Sequence, residues 1–146
     1  MMSKAEKITQ ALIYSLQTIL STNGYHSDMG QQIYLAQSWF DANRQALPCA
    51  SVFLEEEESL DIQGDVLKAQ LSFHIEVHVK KSDSSQILNI FDDLKRCCLY
   101  SSELSQLVSK IHYQGFQIHA LEEGRSIISG IFNISTVYVE NLKEKT

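Results

Sequence analysis

One proline and six glycines in 146 residues leave no room for a collagenous or low-complexity chain. No apolar run approaches the roughly 18 uninterrupted residues that a membrane span needs. Met1 to Lys7 also carries no apolar signal core, which predicts a cytoplasmic protein with no membrane partner. Cysteine is scarce: Cys49, Cys97 and Cys98 are odd in number and two are adjacent, which suits neither a disulfide framework nor the paired spacing of a structural zinc site. Reduced thiols packed as small apolar groups are expected instead. Basic residues are outnumbered, with 12 Lys and Arg against 18 Asp and Glu and a net charge of −6. That balance argues against nonspecific phosphate-backbone binding, which needs many cationic contacts, and nothing points to direct sequence-specific nucleic-acid recognition.

The chain has the means to fold. It is 44% hydrophobic and 21% charged, and its length suits one domain over residues 1–146 with a core of its own. Ala5, Ile8, Leu12, Leu16, Ile19 and Leu20 recur at steps of three and four and predict an amphipathic helix over residues 4–22. Asn23-Gly24 is expected to stop it, with Gly24 left-handed. Ile33 to Trp39 and Ala50 to Leu54 read as strands, and Pro48 stands where the second can begin. Glu55 to Glu58 bring four like charges together, so a flexible, solvated acidic loop is expected over about residues 55–66.

Residues 68–80 carry the clearest pattern. Ala69, Leu71, Phe73, Ile75, Val77 and Val79 alternate with Lys68, Gln70, Ser72, His74, Glu76, His78 and Lys80, a period of two that an extended strand expresses. Asp83 with Gln86 suggests a capping box. A second helix then follows, with Ile87, Ile90, Phe91, Leu94, Cys97 and Cys98 as its apolar stripe, and Ser101 or Ser102 caps a short turn. Ile111 to Leu121 and Ser126 to Glu140 form a predicted hairpin around Glu122-Glu123-Gly124-Arg125. Its last strand has apolar residues on both sides, Ile128, Phe132, Ile134 and Tyr138 against Ile127, Ile131, Val137 and Val139, and should be covered on both. Residues 141–146 read as a polar tail that frays. The sum is an α+β fold, an antiparallel or mixed sheet of four to six strands packed with two main helices.

Chemistry is harder to find. His74, Glu76 and His78 share one side of a strand and could offer a divalent metal two imidazoles and a carboxylate, although strand spacing alone does not converge three side chains. A small ligand-binding, metal-binding or hydrolytic domain on that face is the alternative reading. Asp61, Asp65, Glu76 and Lys80 could be arranged as a magnesium nuclease site, but their spacing does not match the usual strand pattern. His26, His112 and His119 are scattered. No serine lies in a nucleophile elbow, no cysteine lies in a catalytic signature, and the glycines are too isolated for a phosphate loop. The expectation is a protein with no catalytic residue, no metal and no cofactor. Tyr34, Trp39, Phe40, Tyr113, Phe116 and Tyr138 are expected mainly in the core, with interface anchoring as their other use.

The order of elements resembles the small tail terminator and tail completion proteins of long-tailed bacteriophages. The resembling residues are Ile8 to Leu20, Leu47-Pro48-Cys49-Ala50-Ser51-Val52 leading into Glu55 to Glu58, the strand Ala69 to Val79, the helix Ile87 to Leu94, Leu121-Glu122-Glu123-Gly124, and Val137-Tyr138-Val139. The resemblance implies a non-enzymatic phage or prophage structural protein that associates with itself as a hexameric ring. Such a ring caps the tail tube, ends its polymerisation and contributes to head–tail joining. Its partners would be the tail tube protein and the head–tail connector proteins. It would assemble in the host cytoplasm and end in the virion tail.

Overall fold

The computed structural model describes residues 2–35, 46–119 and 126–144. Among these, α1 (Lys4–Leu16) is followed by β1 (Ile33–Leu35), β2 (Cys49–Gln63), β3 (Val66–Lys80), α2 (Ile87–Leu99), a short α3 (Ser102–Ser105), β4 (Lys110–Ile118) and β5 (Ile127–Asn141). The five strands form one mixed sheet in the order β1-β2-β3-β5-β4, in which only β1 runs parallel to its neighbour. This is the α+β class that the periodicities predict.

The alternation in β3 decides how the layers stack. Phe73, Ile75 and Val77 pair across to Leu54, Val52 and Ala50 of β2 and to Ile134, Phe132 and Gly130 of β5, which puts all of them on one face. The helices pack on that face: Ile8, Leu12 and Leu16 of α1 and Ile90, Phe91 and Leu94 of α2 join Phe73, Ile75 and Phe132 in one buried cluster. Burying each of the larger of these side chains contributes at most about 1.5–3 kcal/mol. The fit is close at Gly130, where an added Cβ would lie 2.5 Å from the Phe91 ring. That ring stacks on Phe116 at 4.3 Å, so a bare backbone at residue 130 lets α2 settle onto the sheet.

Both helices depart from the sequence reading in detail. The first ends at Leu16 rather than residue 22, because residues 17–20 turn away and a short 3-10 turn spans Ser21–Asn23. Ile19 still reaches the core, which is why the apolar periodicity runs past the helix end, and Gly24 is left-handed as expected. The expected capping box is not formed. Lys81–Gln86 is a 3-10 stretch in which Asp83 is non-helical, and Gln86 enters α2 with no side-chain cap. Ser101 does cap α3, accepting from the Leu104 N–H at 3.1 Å.

Asp93 is the main exception to the stripe of α2. It is wholly buried, and its carboxylate accepts from the His26 and Ser27 backbone N–H groups at 2.8 and 3.0 Å and from the Ser27 hydroxyl at 2.8 Å. A carboxylate so placed fixes the loop after the first helix onto the second. Sequence spacing gives no hint of it, since the partners lie more than sixty residues away.

The acidic segment is strand, not loop. Glu55–Glu58 lie within β2, which pairs with β3 along its whole length and closes through a two-residue turn, Gly64-Asp65. Gly64 supplies the positive φ, 60°, that a tight hairpin turn needs. Register explains how four like charges are accommodated: Glu56 pairs with Ser72 on the face away from the helices, while Glu57 pairs with Leu71 on the helix face. The run looked like loop because Leu54 to Gly64 is exposed on both faces and shows no alternation of burial.

Two further expectations are corrected. The last strand is not covered on both sides throughout: Val137 is buried, Ile127 and Ile131 are half-buried, and Val139 is 47% exposed. The tail begins later than residue 141, since β5 runs through Asn141, the Leu142 N–H donates to the Asp65 carbonyl at 2.8 Å and Lys143 pairs with Asp65 at 3.3 Å. Trp39, Phe40 and the turn Glu122 to Arg125 lie outside the described residues. β1 is described as Ile33–Leu35, and the rest of the expected strand, residues 36–39, lies outside the described residues.

Candidate functional site

With the helices on one face, the other face of the sheet carries the polar residues of β3. His74, Glu76 and His78 project there, as the alternation predicts, and register adds one histidine from β4 and one just after it: His112 pairs with Ser135 and the His119 N–H donates to the Ser129 carbonyl at 2.9 Å. Four of the chain's five histidines therefore share a face, which the sequence could not reveal without the β4–β5 register.

The stripe does not converge on a point. His74 turns toward β2, where its Nδ1 lies 2.5 Å from Glu55 Oε1 and its ring stacks on Phe53 at 4.4 Å. His78 turns the other way, with its Nδ1 2.7 Å from the Ser129 hydroxyl on β5. Burial holds the His78 imidazole below its ordinary pKa; Glu76 opposes that shift and His119 reinforces it. Among the described residues no three His, Cys, Asp or Glu side chains form a group able to hold a metal ion. The nuclease-like set is separated more widely still. Asp65 sits in the hairpin turn and Lys80 ends the same strand fifteen residues later, on the order of 50 Å away at the rise of an extended chain.

The cysteines are free and buried. Desolvation pushes the Cys49 thiol up to about 11 and raises Cys97 and Cys98 as well, the opposite of what a thiolate nucleophile requires. Cys97 donates to the Ser15 carbonyl at 3.0 Å and so serves helix packing. Of the aromatics, Tyr138 is core, while Tyr34, Tyr113 and Phe116 are half-buried.

The remaining candidate is the outer part of the β2–β3 hairpin. From Leu54 to Val66 it gives no residue to the buried core, and Leu54, Leu60, Ile62 and Val66 stay more than 40% exposed. Residues 55–63 carry five acids and no base. The arm is nevertheless braced. The Tyr138 hydroxyl on β5 donates across β3 to Glu57, His74 holds Glu55 on the opposite face, and Lys143 holds the turn at Asp65. Among the described residues, β1 pairs only with Ala50–Val52, and no described strand lies beside the outer edge of β2 beyond Val52. Sequence reasoning found the acidic run and mistook its conformation.

Compared with protein-family models the chain matches none, and no curated protein matches it. No described helix is long and apolar enough to cross a membrane.

Proposed function

We propose that the chain is a structural assembly protein of the tail terminator kind: a ring that caps a phage or prophage tail tube, ends its polymerisation and helps join tail to head. The observation that carries this reading is the β2–β3 arm, a braced, acid-rich extension that serves no core and, among the described residues, leaves a strand edge and apolar side chains exposed. An assembly protein needs such a surface. Unpaired edges and contiguous exposed apolar groups are costly to keep on a monomer, because they invite pairing with other chains. The acids serve as a filter, since like charge disfavours the wrong neighbour and complementary charge selects the right one.

The reading also fits the chemistry of the rest of the surface. The histidine stripe turns its members toward separate neighbours, and the thiols are buried with raised pKa values. Assembly, rather than turnover, is the use this arrangement suits. The test is native mass across a wide range of protein concentration. A discrete ring-sized species, with a hexamer as the expected size, supports the reading; a monomer at every concentration contradicts spontaneous ring formation.

A further inference from the structure

Among the described residues the sheet has two open edges, and they differ in charge. On one side, residues 55–63 of β2 carry five acids; on the other, β4 carries Lys110 and His112 and no acid. The lengths are comparable, with ten exposed residues of β2, 54–63, against the nine of β4. Apolar groups recur along both: Leu54 and Ile62 on the helix face of β2 are exposed, and Ile111, Tyr113, Phe116 and Ile118 on the same face of β4 are exposed or half-buried.

Strand direction adds a constraint. β2, β3, β5 and β4 are successively antiparallel, so β2 and β5 point one way and β3 and β4 the other. If a second copy in the same orientation lays its β2 beside β4 of the first, the new pair is antiparallel and the helix faces stay on one side. Pairing β2 with the β2 of a second copy would instead bring together two edges that carry five acids each, and like charges across a strand pair are destabilising. Bulges at Leu54/Glu56 and Ser59/Asp61 also twist the β2 edge, which disfavours a flat, indiscriminate partner.

We infer that the occupant of the β2 outer edge is a second copy of this chain, seated through its β4 edge, Lys110–Ile118, in a head-to-tail contact that repeats around the ring. Such a contact uses two different patches on each copy and therefore closes into a ring or runs on as a filament, not a two-fold dimer. The inference rests on the ring reading above and names its contact.

The experiment uses two full-length variants and sedimentation velocity. Glu56→Lys with Glu58→Lys and Asp61→Lys reverses the β2 edge; Lys110→Glu with Gln117→Glu reverses the β4 edge. All five positions are exposed, and circular dichroism checks that each variant folds. Each variant alone has like charges on both of its edges and should lose self-association at least tenfold. Mixed one to one, β2 of each meets β4 of the other, so the mixture should regain a ring-sized species with an even number of copies. Hydrogen exchange of the wild type gives a second readout: amides in residues 55–63 and 110–118 should slow on assembly. Rings that form in each variant as in the wild type, without protection of these two segments, overturn the edge contact and leave the ring reading standing. A wild type and a mixture that both stay monomeric overturn the inference, and the ring reading's spontaneous form with it.

Discussion

The hydroxyl of Tyr138 donates to the carboxylate of Glu57 across an intervening strand, joining β5 to β2 over β3. Tyr138 pairs with Ala69, whose small side chain occupies the β3 position between them. Tyr138 is 2% exposed while Glu57 belongs to the exposed arm, so the bond ties the arm to the edge of the core.

Tyr138→Phe keeps the ring in place and removes the donor. The expected cost is about 1–2 kcal/mol, the range for a hydrogen bond to a charged group with one partner in reach of water. Hydrogen exchange should accelerate in residues 55–70 more than in α2. A uniform change across the chain would show that the bond does not brace the arm.

Asp93→Asn tests the clamp between α2 and the loop at His26-Ser27. The amide keeps one acceptor but turns an NH2 group toward N–H donors, leaving a buried donor unsatisfied. Urea unfolding should show a loss of about 2–3 kcal/mol. An unchanged midpoint would mean that the loop does not need the carboxylate.

Gly130→Ala should cost about 1–3 kcal/mol, because the new methyl meets the Phe91 ring and forces α2 outward. Combining it with Phe91→Leu should cost less than the sum of the two single changes, since the smaller side chain vacates the contested space. Strict additivity in the thermal midpoints would refute the close approach.

Stability should fall at both ends of the pH scale. His78 has its pKa lowered chiefly by burial, so its contribution is present above the ordinary value of 6.5 and is lost as pH falls below it; His78→Gln should flatten that acid limb. Cys49 is raised to about 11 from 9.0, so its contribution is present below pH 9 and is lost as pH rises toward 11; Cys49→Ala should flatten the alkaline limb. Urea midpoints measured from pH 5 to 11 check both signs.

How much of this was legible depends on where burial writes a pattern. β3 was readable to within two residues of its ends because one of its faces is packed and the other is largely polar. Even so, Ser72 and His78 on the polar side are nearly buried, which the alternation alone does not indicate. α2 was readable through its stripe, apart from Asp93, whose burial depends on a distant loop. The acidic half of β2 was not readable, because both its faces meet water and only pairing with β3 makes it a strand. The gathering of His112 and His119 beside His74 and His78 was hidden for a related reason: register between distant strands leaves no local signature.

The proposed capping of a tail tube is tested most directly by tube elongation from purified tail tube protein with and without the chain. A capping chain stops growth, shortens the mean tube length and is found by labelling at tube ends alone. Tubes that grow to the same length and carry no label at their ends would contradict it.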